Sequence, residues 1–456
     1  MFRDISPLIA HNPPGLHYGV AVTDLDADGR FEFVIAGFGG PNRMLRWANN
    51  QLRESAPPDL ADIARQAVGV AAGDIDGDGR EEIYILNTDT FSGPKQAADR
   101  LFDAQPDGRW EDLFSRPDNR NVRNLSAGRS VAVIDRRGVG RYGFFVASHG
   151  RPMRLFELGP DGSLADLAPP LGLARTAGGR GVLTLPVFSD HTDIFCVNEQ
   201  GPNFAYRNRG DGTFTECAAE LGLADPEEHG RGVASFDSGD NGNLGLCWGN
   251  WEGLHRVMTR KENGSWKNHA TPGLAFPSAV RTVIAADFDN DGHDELFFNN
   301  IGEANRLFRV SPSLTMLDPG DALDADGFGT GAAICDIDGD GILELLISRG
   351  ERGAQPLGLY KSRAAEGNGW LRVRPLTRFG APARGAVVRA EANGRVRVKG
   401  VCGGSGYLCQ MEPVAHFGFG LGGKAERVQV MWPDGAAVVL LNPGSDRTIT
   451  VPYPRG

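Results

Sequence analysis

One short acidic pattern recurs in this 456-residue chain, and its spacing is that of a metal-binding loop. The pattern D-x-D-x-D-G-x-x-E places four carboxylates and a glycine within nine residues. Carboxylates held so close repel one another by several kcal/mol where water is partly excluded, unless a cation lies between them. The pattern therefore predicts bound cations.

Intact copies of this loop begin at Asp24, Asp74, Asp287 and Asp336. The short aspartate side chains can converge on one point, the glycine permits a sharp turn with positive φ, and the glutamate closes the cage. Oxygen ligands without nitrogen or sulfur favour Ca²⁺ over Mg²⁺ or Mn²⁺. We expect about four Ca²⁺ sites, whose ligands are Asp24, Asp26, Asp28, the Arg30 carbonyl and Glu32; Asp74, Asp76, Asp78, the Arg80 carbonyl and Glu82; Asp287, Asp289, Asp291, the His293 carbonyl and Glu295; and Asp336, Asp338, Asp340, the Ile342 carbonyl and Glu344.

The alternative reading of these loops is that Asp-Gly-rich segments are simply polar turns. The second position of each intact loop argues for a structural role, because it is apolar in all four copies: Leu25, Ile75, Phe288 and Ile337. An apolar residue there would fix the loop to a hydrophobic core. We therefore interpret the calcium chiefly as a structural staple.

Three degenerate copies complete a regular repeat. They begin at Asp135, Leu185 and Asp237, so that the seven copies start at 24, 74, 135, 185, 237, 287 and 336. The copy at Asp237 keeps Asn241 and Gly242 but lacks the carboxylates of positions 3 and 9, so an ion there would bind weakly. A period of about 50 residues matches one four-stranded propeller blade per repeat.

The segments around the loops predict the fold class. A strand leads into each loop, a second leaves it, and further short strands follow across Asp-Gly or Asn-Gly turns. We predict an all-β chain, with a seven-bladed β-propeller at residues 1–366 and a small β-sandwich or barrel at 367–456. The last repeat lacks a fourth strand, so Met1–Ser6 is expected to complete that blade and close the ring.

The loops are similar to the calcium loops of FG-GAP/VCBS-type propellers, and the C-terminal segment resembles the ASPIC/UnbV domain. The features that carry the second resemblance are Trp370-Leu371, the GGSGYL run at 403–408, His416-Phe417-Gly418 with Gly420, and Trp432-Pro433. Together, the two parts resemble the cartilage acidic protein family over nearly the whole chain. The resemblance implies a binding or cell-adhesion module that is extracellular or periplasmic.

A rival hypothesis is a calcium-dependent propeller enzyme, biosynthetic or carbohydrate-active, because a fold does not fix a function. Its site would lie in the central channel or at the junction between the propeller and the tail. The sequence nominates no catalytic constellation. A fold that starts near residue 2 leaves no room for a signal peptide, so a cytoplasmic location is expected if Met1 is the native start.

Four arginines form the second candidate site. Arg129, Arg180, Arg231 and Arg281 each occupy the start of a predicted first strand, a position that often faces the channel of a propeller. Four guanidinium groups around one mouth would bind an anionic ligand or a carboxylate. The alternative is that each arginine bridges neighbouring blades or pairs with an acidic loop. Trp248, Trp251 and Trp266 lie near loops, which keeps a sugar ligand open.

Two cysteines flank the GGSGYL run where the resembled family is expected to carry serines. Cys402 and Cys409 would form a disulfide across a tight hairpin, or remain two small buried side chains; both readings stay open. The other four cysteines are expected to be buried packing residues.

Composition limits the partners. A formal net charge of −11 argues against nucleic acid, and no apolar run approaches the ~18 residues needed to span a membrane. The expected partner is a protein, a glycan or a small-molecule substrate.

Overall fold

The computed structural model describes residues 1–239, 242–311 and 313–454. It is an all-β structure, and the fold-class prediction is confirmed. Helix is confined to short segments in the described residues: α1 (Pro58–Ala61), α2 (Ala218–Leu221), α3 (Pro272–Ala275) and the 3₁₀ segments Ser6–Leu8, Leu113–Ser115, Pro117–Val122 and Asp321–Leu323. None of these helices has the length and apolar character needed to cross a membrane.

Each repeat of the sequence folds into an antiparallel unit in which the first strand enters the loop and the second leaves it. After β1 (Phe2–Asp4), the strands of units 1 to 4 are β2 (His17–Thr23), β3 (Glu32–Gly37), β4 (Arg43–Ala48) and β5 (Gln51–Glu54); β6 (Ala67–Gly73), β7 (Glu82–Asn87), β8 (Arg100–Ala104) and β9 (Trp110–Asp112); β10 (Gly128–Ile134), β11 (Gly143–Pro152), β12 (Arg154–Leu158) and β13 (Leu164–Asp166); and β14 (Thr176–Leu185), β15 (Asp193–Asn198), β16 (Phe204–Asn208) and β17 (Phe214–Glu216).

Units 5 to 7 repeat this arrangement. Their strands are β18 (Gly230–Asp237), β19 (Leu244–Asn250), β20 (Arg256–Arg260) and β21 (Trp266–Asn268); β22 (Val280–Ala286), β23 (Glu295–Asn300), β24 (Arg306–Arg309) and β25 (Thr315–Leu317); and β26 (Gly329–Cys335), β27 (Glu344–Arg349) and β28 (Gly358–Ser362). In unit 7 the outer strand is β1, which pairs antiparallel with β28 and joins the two ends of the repeat array.

The first strands of the units contact one another in cyclic order and enclose a central channel. These innermost strands are almost entirely buried, and their near-continuous apolar runs are typical of strands covered on both faces. Their backbones approach so closely that a Cβ on Gly232 would lie 2.5 Å from the backbone nitrogen of Val283. We interpret the seven units as the predicted blades.

The tail forms two sheets around a hydrophobic core of its own. Leu371, Val388, Phe417 and Val430 are among the buried residues of that core. One sheet has the order β32-β29-β35 and the other β31-β30-β33-β34. The strands are β29 (Asn368–Pro375), β30 (Val387–Ala392), β31 (Arg395–Gly400), β32 (Ala415–Leu421), β33 (Ala425–Met431), β34 (Ala437–Gly444) and β35 (Arg447–Val451).

Between β31 and β32 the tail sends residues 402–412, here called the channel loop, into the propeller. Its backbone is hydrogen-bonded to several innermost strands: Gly403 O accepts from Val133 N–H at 2.8 Å, and Gln410 N–H donates to Val20 O at 2.9 Å. The Gln410 side chain both accepts from and donates to Ala72, at 2.8 and 3.0 Å. The channel loop therefore satisfies polar groups that a dry channel would leave unpaired.

Candidate metal centres

All four intact loops share one pattern of internal hydrogen bonds. The carboxylate of position 1 accepts the N–H of the glycine at position 6, which has a φ between +82° and +95° in every copy. A side chain is rarely found in this left-handed conformation, which explains the glycine. The four bonds are Gly29 to Asp24 at 2.9 Å, Gly79 to Asp74 at 3.1 Å, Gly292 to Asp287 at 2.9 Å and Gly341 to Asp336 at 3.0 Å.

The glutamate of position 9 also holds the loop in shape. Its Oε2 accepts the N–H of the apolar residue at position 2, at 3.0 Å for Glu32 and 2.8 Å for Glu344. Because these carboxylates use one oxygen for the backbone, their second oxygens are left for another partner. Asp24 Oδ1 and Asp287 Oδ1 have no hydrogen-bond partner, although the two residues are only 7% and 3% exposed. A buried carboxylate oxygen without a donor fits a cation.

The carboxylates of each loop converge. One oxygen of every member lies within 4.8 Å of the others in these groups: Asp24, Asp26 and Glu32; Asp74, Asp76 and Asp78; Asp76, Glu82 and Asp103; Asp287, Asp289 and Asp291; and Asp336, Asp338 and Glu344. Asp28, Glu295 and Asp340 lie outside these groups. The ring of His293 contacts Arg395 of the tail, at 3.4 Å from Nε2 to Nη1.

Burial and mutual repulsion leave these carboxyl groups poorly stabilised as anions. Burial, reinforced by Asp76 and Asp78, raises the pKa of Asp74 to about 7. Burial raises the pKa of Glu32 to about 7, and Asp26 adds to the shift. The pKa of Glu82 rises well above its usual range for the same reasons. A divalent cation bound at these two loops would favour the ionised carboxylates and lower their pKa values.

A basic side chain from the third strand of the unit faces three of the four loops. Arg46 Nε lies 2.6 Å from Glu32, Arg309 Nη2 lies 2.7 Å from Asp289, and Lys361 Nζ lies 2.5 Å from Glu344. Each is the cross-strand neighbour of the ninth-position glutamate.

The equivalent residue of unit 2 is Asp103, so that loop has a fifth carboxylate in place of a built-in cation. The only basic contacts of these five carboxylates in the described part of the chain are long, at 3.9 Å from Arg80 to Asp78 and from Arg116 to Asp103. Asp103 lies outside the nine-residue loop motif, so the motif alone does not reveal its role. Aligning the third strands, NRMLRW with DRLFDA, would have found it.

Basic residues of the tail reach the same end of the propeller. Arg374 lies 2.9 Å from Asp24 and Arg372 lies 3.0 Å from Asp336, while Lys399 pairs with Asp294. Arg384 donates to both oxygens of Glu81, which precedes the ninth position of the second loop, at 2.5 and 3.1 Å. The acidic loops thus also provide the docking surface for the tail.

In two of the degenerate loops, backbone N–H groups satisfy the remaining carboxylate. In unit 3, Asp135 accepts backbone N–H groups of Val139 and Gly140, at 2.9 and 2.6 Å. In unit 4, Asp193 Oδ2 accepts the N–H groups of three consecutive residues that start at Val187. Asn241 of the Asp237 copy lies outside the described residues. None of the three degenerate loops forms an acidic cluster within the described residues.

The four channel arginines are all buried and all have partners. Arg180 and Arg231 share Glu199, Arg281 pairs with Glu351, and Arg129 donates to backbone carbonyls. These contacts join neighbouring units.

The cysteines are six separate buried thiols. Cys402 Sγ lies 3.1 Å from Ser405 Oγ, and Cys409 Sγ donates to Tyr407 O at 3.0 Å. Trp248 and Trp266 are buried, which leaves Trp251 as the partly exposed one of the three tryptophans considered for sugar binding.

Comparison with known proteins agrees with both parts of the molecule. The family described as "ASPIC and UnbV" matches residues 377–456, and the "FG-GAP-like repeat" matches residues 24–85 and 287–347. The chain is 48% identical to cartilage acidic protein 1 of Homo sapiens over 466 aligned residues, covering 94% of this chain and 70% of that protein. It is 47% identical to the Mus musculus protein, covering 94% and 72%.

Matches among solved structures have low sequence identity. BBS1N in its complex with ARL6DN is 11% identical, with a TM-score of 0.47 over 80% of this chain and 98% of that chain. Sqt1 of Saccharomyces cerevisiae is 10% identical, with a TM-score of 0.45 over 79% and 97%.

Proposed function

Since this chain belongs to the cartilage acidic protein 1 family, we propose that it is a β-propeller interaction module whose acidic loops bind Ca²⁺ as structural staples. The proposed ligands are those that the sequence predicts in the four intact loops, with Asp103 added at the second. Carboxylate and carbonyl oxygens are the ligands that Ca²⁺ prefers.

The observation that supports this proposal best is the pair of unpartnered oxygens, Asp24 Oδ1 and Asp287 Oδ1. An ionised carboxylate with one oxygen buried and unpartnered is destabilised, and a cation bound between carboxylates relieves that destabilisation. Each oxygen belongs to a residue of a converging acidic group. The site is therefore shaped for a cation rather than for a neutral turn.

Bound ions would stabilise the packing of strands and tail as well as the acidic loops themselves. Each loop connects the innermost strand of a unit to the next strand, and the first and seventh loops also contact Arg374 and Arg372 of the tail. Calcium at these loops would hold the propeller units and fix the surface on which the tail docks. This is the role of a scaffold that presents other surfaces to a partner.

The enzymatic alternative places its site in the central channel or at the junction with the tail. The channel loop fills the first of these places and hydrogen-bonds to the strands that line it. This occupancy favours a binding role over catalysis within the channel.

Chelation tests the proposal. Removing calcium should lower the melting temperature, because a ligand bound only by the native state stabilises it by roughly 2.7 kcal/mol per site at a hundredfold excess over its Kd. Elemental analysis of the purified protein should find about four calcium ions per chain. Asp74→Asn should remove one ion, while Asp135→Asn, in a degenerate loop, should remove none. A melting temperature unchanged by exhaustive chelation would refute the staple.

A further inference from the structure

The end of the channel opposite the acidic loops carries a cluster of positive charge. Arg129, Arg180, Arg231 and Arg281 occupy the same place in units 3 to 6, at a β-bulge near the start of the innermost strand. A bulge re-aims the side chain of the extra residue. The four arginines belong to adjacent units, so they lie along one arc of the ring.

The carboxylates that contact these arginines do not balance their charge. Glu199 bridges Arg180 and Arg231, and Glu351 binds Arg281 at 2.6 and 2.5 Å. Arg129 contacts the carbonyl oxygens of Thr90 and Phe91 and no carboxylate among the described residues. Four guanidinium groups therefore face two carboxylates.

The neighbouring histidine adds no charge at neutral pH. His149 lies 3.1 Å from Glu199, and burial together with the nearby arginines lowers its pKa to about 4. The excess of two positive charges therefore stands at the pH of an ordinary binding experiment.

Part of the donor capacity of the cluster is unused. The Nε atoms of Arg129 and Arg180 are buried without a hydrogen-bond partner, and the two residues are 8% and 3% exposed. Burial lowers the pKa of Arg180 to about 9 and that of Arg231 to about 10, and other arginines of the cluster add to both shifts. Unpaired buried donors and unneutralised charge both call for an acceptor with negative charge.

Aromatic side chains enclose the cluster. The ring of Phe91 lies 4.9 Å from the Arg129 guanidinium carbon, and Trp251 lies 4.0 Å from that of Arg281. Tyr407, from the channel loop, closes the inner side and accepts a hydrogen bond from Arg180 at 3.0 Å. Phe91 is 64% exposed, so the cluster lies directly beneath the solvent-facing rim.

We propose that these residues form an oxyanion-binding pocket, which takes the carboxylate or sulfate group of a small organic anion. Guanidinium groups bind such oxyanions through paired, charge-assisted hydrogen bonds. Phe91 and Trp251 provide apolar faces for the body of the ligand, which favours an organic anion over a bare ion. The pocket lies at the other end of the propeller from the acidic loops and contains none of the proposed calcium ligands.

Calorimetric titration of the calcium-loaded protein tests the pocket with sodium sulfate, sodium glucuronate and glucose, all at one ionic strength. We expect sulfate and glucuronate to bind and the neutral sugar glucose to give no binding. Arg129→Gln should weaken the binding of both anions at least tenfold, because Arg129 is the arginine without a carboxylate partner. Arg109→Gln, on an exposed turn of unit 2, is the matched control and should bind as the wild type does.

A second variant distinguishes binding of the oxyanion group from binding of the organic body of the ligand. It also provides a test that does not depend on a buried arginine. Phe91→Ala removes an exposed ring, so the fold should persist, and glucuronate binding should weaken while sulfate binding is kept. Binding of sulfate without glucuronate would overturn the assignment of an organic anion as the ligand. The proposal is overturned if neither anion binds at millimolar concentration, if glucose binds as well as glucuronate, or if Arg129→Gln binds both anions normally.

Discussion

The third-strand residue that lies opposite the ninth-position glutamate is basic in three of the four acidic loops and acidic in the other. Arg46, Arg309 and Lys361 occupy it in units 1, 6 and 7, and each contacts carboxylates that would otherwise hold an ion. In those loops a divalent ion would compete with a built-in cation. Asp103 reverses the charge in unit 2. Within the proposed set of sites, the second loop should bind calcium most tightly.

Asp103→Lys should give the second loop a built-in cation like those of the other three intact loops. The lysine would place a cation where the fifth carboxylate lies, and calcium affinity at this loop should fall by tenfold or more. Asp103→Asn removes the charge without adding one and should have a smaller effect. Calorimetric titration of the metal-free protein would resolve the tightest site. If the tightest calcium-binding step were unchanged in Asp103→Lys, the second loop would not be the tightest site.

The metal-free protein should become less stable as the pH rises. The pKa values of Asp74 and Glu32 are raised to about 7 from ordinary values near 4, so the folded chain holds protons that the unfolded chain has lost. Their contribution to stability is present below about pH 4 and disappears as the pH rises through 7. Denaturant unfolding of calcium-free protein between pH 5 and 8 should show this fall in the free energy of unfolding.

Saturating calcium should reduce or reverse that pH dependence, because the ion favours the ionised carboxylates. Glu32→Gln provides the internal control, since it removes one of the two groups and should flatten the calcium-free profile. A calcium-free protein whose stability rises steadily from pH 5 to pH 8 would contradict the assignment.

At the scale of elements, the contact between tail and propeller depends on buried charges. The Arg384 side chain is fully buried, binds both oxygens of Glu81, and donates to the carbonyl oxygens of Val22 and Cys402 at 2.8 Å. It therefore joins units 1 and 2 to the start of the channel loop.

Arg384→Met should lower the free energy of unfolding by about 3–5 kcal/mol, because it leaves Glu81 buried and unpaired. The double variant Arg384→Met with Glu81→Met should lose less, since it removes both charges. Chemical denaturation of the wild type, the single variants Arg384→Met and Glu81→Met, and the double variant measures the difference. If the double variant lost as much as the sum of the two single variants, the pair would not be coupled.

Much of this element structure was predictable, and the limits have physical causes. The acidic loops follow from local spacing, since Asp24 and Glu32 hold the same turn through contacts within nine residues. The role of Asp103 depends on pairing between strands rather than on a motif. The path of the channel loop depends on packing over hundreds of residues, as between Gln410 and Ala72. Short sequence motifs do not predict contacts between residues so far apart in the chain.

For the four arginines of the channel, the sequence predicts the positions but not the partners. Their place at the start of the innermost strands follows from the repeat. Their partners do not, because Glu199 and Glu351 lie just beyond β15 and β27, in connections that have no periodic signal. The disulfide reading of Cys402 and Cys409 could not be decided from spacing alone, and the structure holds them as separate thiols.

For the whole molecule, the channel loop is the element that all units share. It is hydrogen-bonded to every innermost strand: to Val20 of β2, Ala72 of β6, Val133 of β10, Arg180 of β14, Val233 of β18, Thr282 of β22 and Ile334 of β26. A single tail segment thus stabilises the ring from inside. Loss of its insertion should loosen all units together.

Gly404→Val should block this insertion. A Cβ at Gly404 would lie 2.3 Å from the Cβ of Ala132, on an innermost strand that cannot move aside. Hydrogen exchange at residues 402–412 and at the innermost strands should therefore accelerate by at least tenfold. Gly40→Ala, where an added Cβ meets no atom within 4 Å, should exchange like the wild type. Unchanged protection in Gly404→Val would show that the loop does not depend on this close approach.

The pairing of β1 with β28 sets an order of events during synthesis. Phe2 pairs with Ser362, so the first strand must wait for about 360 further residues before its neighbour exists. A ribosome that adds about 5–20 residues per second needs roughly 20–70 seconds for that stretch. Through this interval the nascent propeller is an open arc with a bare strand at its leading end, which is a target for chaperones and for mispairing with other nascent chains.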